Sequence, residues 1–303
     1  MIRTIYLDHN IVHHFVRGFP IGTEPAETAA LRRVLQPSTD LRIVVSDWNF
    51  IEPCRERDAI GGHAPLVTRY ANFLLGLNPL YFPTVLAIKQ AEMARCVYTH
   101  LGMQAESAVP VFNQTYSQAR SASGLEELLL GYSLKDFMLY LVKRPKELDQ
   151  YRAPEQQTYD AQLTIREARK KGLDKDAALQ ARLWREWFGS MLPARGPEYR
   201  IIPKSNLQRV LNIFVDAPNL VLHSCPAIQV ESVLSDVRAN VGGRKPRIQD
   251  AIDLMHAVPA LAYCDAMVSD DKHLLRCATE VIKATSRSVV LARKLSAALE
   301  RLN

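Results

Sequence analysis

The sequence predicts an α/β fold, a doubly wound parallel sheet carrying a large all-helical insertion, on three observations. Short runs of β-branched and aliphatic residues ending on acids or small polar residues occur near both ends of the chain. Helical patterns alternate with those runs, as parallel strands require, because only a crossover can join them. Between the two ends, from about Ala64 to Leu192, apolar residues recur at helical spacing with almost no strand signal.

The elements follow in order. Thr4 to Leu7 is an unbroken β-branched, aromatic and aliphatic run that stops at Asp8, the pattern of a buried parallel strand. Glu24 to Leu35 has helical spacing and ends before Pro37, so it can supply the first crossover. Leu41 to Val45 is the second strand, after which Ser46 or Asp47 can cap a short helix carrying Asn49 and Glu52. The central stretch holds helical sets such as Val85, Ile88, Ala91 and Cys96, or Leu128, Leu129, Phe137 and Leu141. It is broken at Asn78-Pro79, at Ser121 to Gly124, at Pro145, at Pro154 and at Pro193 to Pro197. Strand character returns at Asn219 to His223, Ala266 to Val268 and Ser288 to Leu291. The expected division is a discontinuous sheet domain, 1–62 with 205–303, interrupted by a helical insertion at 63–204.

Composition bounds the function. Apolar residues make up 48% and charged residues 23%, an ordinary globular balance that argues against global disorder. Lys and Arg outnumber Asp and Glu by 38 to 32, a net charge of +6 that favours a polyanionic partner without requiring one. Arg166, Arg169, Lys170, Lys171 and Lys175 concentrate part of that charge, either to touch a polyanion or as a solvated helix face. Cys54, Cys96, Cys225, Cys264 and Cys277 lack metal or CxxC spacing and read as buried thiols. With no apolar run of membrane-spanning length and no leader-like start, a cytoplasmic location and no membrane partner are expected.

The segment from Ile248 to Arg276 carries the most chemistry. Asp250, Asp253 and His256 recur every three residues, so on a helix they lie near one face, although Asp250 could instead cap it. The chain then enters a short strand and reaches Ser269, Asp270 and Asp271 at its carboxyl end, the edge where open α/β sheets bind ligands. Asp8 and Glu52 are expected at the carboxyl ends of two other strands. Clustered carboxylates repel one another and persist where a hard divalent cation neutralises them. An oxygen-rich set with at most one His suits Mg²⁺ or Mn²⁺ better than zinc.

The order of these motifs resembles a PIN domain. YLDHN supplies a strand-end acid with Asn10 two residues on, SDWNFIE a second acid, DLMHA a third on a helix, and MVSDDK the last. Ser269 lies sixteen positions after Asp253, similar to the family's helix-to-strand spacing. The resemblance covers roughly the first 60 and last 85 residues; the long helical block is unlike a minimal PIN domain. It implies that Asp8, Glu52 and Asp253 bind metal with Asp270 or Asp271, and that Asn10 and Ser269 orient a carboxylate, water or phosphate. Ser46, Asp250 and His256 would support that set. The implied activity is that of a metal-dependent endoribonuclease: phosphodiester hydrolysis, most often of RNA, by metal-activated water. A toxin role, a homo-oligomer and a protein inhibitor are compatible with the resemblance.

Other readings stand beside it. Arg244, Lys245 and Arg247 follow Gly242-Gly243 and form a basic loop that either grips a phosphate backbone or is a solvated turn. Trp184, Trp187 and Phe188 fit the core of the helical block better than a base-stacking platform. The chain could be a non-catalytic RNA- or protein-binding module on a degenerate PIN-like fold. Phosphatases that use a DxD pair after the first strand are disfavoured, because the sequence there is DHN. No GxxxxGK[ST] loop is present for nucleotide-driven work.

Overall fold

The computed structural model describes residues 2–19, 22–36, 40–55, 63–103, 111–122, 133–143, 160, 163–164, 167, 171–172, 176–192, 202–240 and 248–302. Five parallel strands form one sheet: β1 (Arg3–Leu7), β2 (Leu41–Val45), β3 (Leu80–Tyr81), β4 (Ala266–Val268) and β5 (Val290–Ala292). Their spatial order is β3-β2-β1-β4-β5, and every pairing is parallel. The first strand is therefore central, with the chain winding outward to one side and later returning to the other. Such a reversal leaves a crevice between β1 and β4 at the carboxyl ends of the strands.

Strand alternation divides the core into two layers. Ile5 and Leu7, with Ile43, Val45, Ala266 and Val268, face one side; Tyr6, Val44 and Met267 face the other. The first side is covered by α1 (His9–Arg17), α2 (Glu24–Val34), α4 (His63–Gly76) and α7 (Leu134–Lys143), together with the C-terminal helix α14 (Leu295–Leu302). The short α3 (Asp47–Ile51) follows β2 and continues into a 3₁₀ turn at Glu52–Arg55. The second side is covered by α5 (Val85–His100), α11 (Pro226–Asn240), α12 (Ile248–Tyr263) and α13 (Lys272–Thr285). With helices on both faces, the α/β doubly wound expectation holds at the level of architecture.

A third core lies among helices alone. The outer face of α5, with Met93 and Val97, packs on Phe188 of α8 (Ala177–Met191) and on Val210 and Phe214 of α9 (Lys204–Asp216). Trp184 and Trp187 pack at its margin, as expected for core rather than a stacking platform. All five cysteines are buried and free. A further short helix, α6 (Tyr116–Ala122), lies beside the sheet's outer edge.

Three sequence expectations are corrected. Asn219 to His223 is not a strand but the short helix α10 (Asn219–Ser224), in which Val221 is buried while Leu220 is 45% exposed. A short apolar run flanked by prolines has no period long enough to separate the two states. The stretch expected to be all-helical contributes a strand, β3, two residues long and paired with β2. The last strand runs from Val290 to Ala292, later than the expected Ser288 to Leu291. Arg166, Arg169, Lys170 and Lys175 lie outside the described residues, and Lys171 is exposed.

Glu27 anchors the closing helix. Buried to 2% exposure, its carboxylate accepts from Leu295 N at 2.8 Å, from Ser296 N at 3.3 Å and from the Ser296 hydroxyl, meeting unpaired donors at the start of α14. Because hydrogen bonds to a charged group contribute more than neutral ones, Glu27→Ala is expected to destabilise the fold by about 3 kcal/mol. Urea denaturation checks this; an unchanged midpoint would remove Glu27 from the account of how α14 is held.

Candidate functional site

The carboxyl edge of β1, β2 and β4 gathers the polar residues. Asp8 follows β1 directly and caps α1, its Oδ1 accepting from His9 N at 2.8 Å. Its Oδ2 accepts from the Ser269 hydroxyl at 2.6 Å and from Asn10 Nδ2 at 3.1 Å. The two readings of Asp8, helix cap and site acid, are thus compatible, since Oδ1 serves the helix while Oδ2 is held by the site. Asn10 also donates to Ser269 Oγ at 3.3 Å and accepts from Asp270 N at 3.0 Å, bridging β1 to β4 across the crevice.

On the β2 side, Ser46 caps α3, and Asn49 Oδ1 accepts from Ser46 N at 2.8 Å. Asn49 Nδ2 donates to Leu7 O at 2.9 Å, fixing α3 against the end of β1. This places Glu52 at the first residue of the 3₁₀ turn, facing His256 of α12, whose Nε2 donates to Glu52 Oε2 at 2.9 Å. His256 is 1% exposed, and its Nδ1 hydrogen-bonds the Tyr6 hydroxyl and lies 3.9 Å from Asp8 Oδ1. The Tyr6 hydroxyl also meets Ser46 Oγ at 2.8 Å and donates to Asn49 Oδ1 at 3.2 Å.

Charge decides the proton positions. Burial pushes the Tyr6 phenol well above its ordinary range, so it stays protonated. Burial alone would depress the His256 imidazolium, but the charge and hydrogen bond of Glu52, with Asp8 and Asp253 behind it, outweigh that and lift it above the ordinary histidine value. An ionised carboxylate only accepts, so Nε2 carries a proton toward Glu52; in the neutral ring Nδ1 is then an acceptor and shares the single Tyr6 proton with Asn49 Oδ1.

Asp8, Glu52 and His256 each offer a ligand atom, and these atoms lie within 4.8 Å of one another. Two carboxylates and an imidazole fit a small divalent cation, and the proton drawn onto His256 marks the place where positive charge is favoured. His256, expected in a supporting role, is therefore part of the cluster itself.

The remaining expected ligands have other partners. Asp253 sits one helical turn before His256 and accepts from Arg238 Nη2 at 2.9 Å. Burial is the largest influence on its carboxyl, which is pushed up to about 7 against the opposing pull of Arg238, with Asp8 and Asp271 adding to the rise. Asp271 caps α13, its Oδ1 accepting from His273 N at 2.7 Å and Leu274 N at 2.9 Å. Asp270 pairs with Arg293 and lies 3.6 Å from His14 Nε2. Asp250 falls in the first turn of α12 rather than before it, and its side chain lies outside the described residues, as do Arg244, Lys245 and Arg247.

A pH test follows for Asp253. Its folded value is raised above the unfolded one, so its contribution to stability is fully present below the unfolded value and is lost as pH rises through about 7. In chelator, wild type is expected to lose stability relative to Asp253→Asn between pH 4 and pH 8, by a few kcal/mol at about 1.4 kcal/mol per pH unit. Denaturation across that range checks it; parallel pH profiles would mean that Asp253 is ionised throughout.

Tyr6 and Arg238 have no place in the sequence expectation, which puts Asn49 on the short helix after β2 but gives it no role in the site. Tyr6 reads as one more apolar strand residue, and its only signal is that a buried tyrosine hydroxyl needs a partner. Arg238 is 5% exposed, but its helix also carries Gln229, Glu231 and Asp236, so nothing in the local sequence marks this cation as the buried one.

No family model matches the chain, and no curated protein or solved structure matches it either. No described helix is long and apolar enough to cross a membrane.

Proposed function

We propose that this protein is a metal-dependent nuclease of PIN-like type that hydrolyses phosphodiester bonds, with RNA as its substrate. The observation that carries the reading is the convergence of Asp8, Glu52 and His256 at the sheet edge beside the β1–β4 crevice, with Asp253 adjoining them. Asp8, Glu52 and His256 would hold Mg²⁺ or Mn²⁺. A bound divalent cation supplies water of lowered pKa and offsets charge on a phosphoryl oxygen.

The chain's own residues prepare that chemistry. Asn10, Ser269 and the His9 N–H fix both oxygens of Asp8, so the carboxylate is already oriented. Tyr6 holds Nδ1 of His256, which leaves Nε2, beside Glu52 Oε2, as the nitrogen that would face a cation; as a ligand Nε2 would be unprotonated, with the ring's one proton on Nδ1 toward Tyr6. Ser46 and Asn49 set the position of Tyr6.

A second reading has its own observation. Asp253, Asp270 and Asp271 are each engaged by Arg238, Arg293 or a helix terminus, which favours a non-catalytic binding module whose acids are structural. Incubating labelled single-stranded RNA with the protein in Mn²⁺, in Mg²⁺ and in chelator separates the two. Cleavage that needs metal and is lost in Glu52→Gln supports the nuclease. RNA binding without cleavage, unchanged by chelator, supports the module.

A further inference from the structure

A groove of about 700 Å³ opens beside the acidic cluster, between α1, the start of α13 and the β5–α14 turn. Its lining includes the exposed cations Arg276, Arg293, Lys294 and Arg301, and His14 stacked on Phe19 with ring centroids 5.9 Å apart and 26° between planes. The charge balance is positive. Of the two acids lining it, Asp270 is paired with Arg293, and Glu27 is buried and committed to the backbone of α14. Arg276, Lys294 and Arg301 keep their charge for a ligand, since Arg301 donates only to the neutral Leu291 O at 2.8 Å and Arg276 meets His273 Nδ1 at 3.4 Å. One side chain separates groove from cluster, because Asn10 binds Asp270 N with one end and Asp8 with the other.

We propose that this groove seats the single strand of nucleic acid that flanks the cleaved bond, its phosphates against Arg276, Lys294 and Arg301 and a base against Phe19. The proposal rests on the nuclease reading for its orientation but not for its chemistry. A cationic rim beside an aromatic face is the combination that single strands require, since phosphates supply charge and every base supplies a π-face. The groove's size suits about one or two nucleotides rather than a duplex.

The test measures anisotropy of a fluorescein-labelled single-stranded RNA of mixed sequence, in chelator so that nothing is cleaved, across a range of salt. Arg276→Glu combined with Lys294→Glu is expected to weaken binding on the order of tenfold at low salt. Two lost phosphate contacts should also reduce the slope of log affinity against log salt by about 1.4. Phe19→Ala should weaken binding by about fivefold or more with the slope unchanged, because stacking releases no counterions. Circular dichroism confirms that each variant folds.

Wild-type affinity and slope in the charge-reversed protein would overturn the proposal, as would a wild type that binds no RNA. A mononucleotide competing as strongly as the oligomer would overturn the strand assignment. Binding lost in the variants, with no cleavage by wild type in Mn²⁺, would retain the groove and refute the nuclease. Cleavage with variants that bind normally would do the reverse.

Discussion

Asp8→Asn is expected to abolish metal-dependent cleavage while leaving the fold intact. The substitution keeps the shape at the end of β1 and an oxygen that can cap α1, but removes the charge at the centre of the cluster. A metal ligand contributes several kcal/mol to the transition state, so the loss should be on the order of a thousandfold. Single-turnover cleavage in Mn²⁺, with circular dichroism as the folding control, reads it. A rate near that of wild type would take Asp8 out of the mechanism and leave it as a helix cap.

His256→Ala should have the largest effect on stability within the site. The imidazole is buried and both nitrogens are bonded, so its loss removes one partner from the Tyr6 hydroxyl, which keeps Ser46 and Asn49, and takes the Nε2–H from Glu52 Oε2. Losing the two hydrogen bonds costs about 1–3 kcal/mol and the cavity left by the ring adds to that, giving a destabilisation on the order of 3 kcal/mol. Denaturation in chelator measures it. A midpoint close to wild type would mean that water or a rotated Tyr6 replaces the ring, and that the hydrogen-bond chain through Tyr6 is incidental.

Much of the sheet was legible because parallel strands buried on both faces leave unbroken apolar runs. Leu41–Val45 and Ala266–Val268 carry that signal in full, and β1 differs by one residue. Leu80–Tyr81 does not: two residues after Asn78-Pro79 have no period, and β3 is defined by its tertiary pairing with β2 on one side and with Asn113 on the other. The Asn219 segment failed for the opposite reason, as its aliphatic run suits a strand but packs as one helical turn over Val221. Within the site, the acids announced themselves by residue type at strand ends. Tyr6 stayed hidden because its ring satisfies the strand pattern and only its hydroxyl reaches the site. Arg238 belongs to no local pattern, and tertiary packing alone brings it to Asp253.

Asp8, Glu52 and His256 are proposed to hold one divalent cation. Mn²⁺ titration of the purified protein, followed by electron paramagnetic resonance of the free ion, tests it most directly. A single site per chain is expected in wild type, weakened by lowered pH as His256 takes up a second ring proton, and lost in both Asp8→Asn and Glu52→Gln. A wild type that takes up no Mn²⁺, or variants that bind it as tightly as wild type, would contradict it.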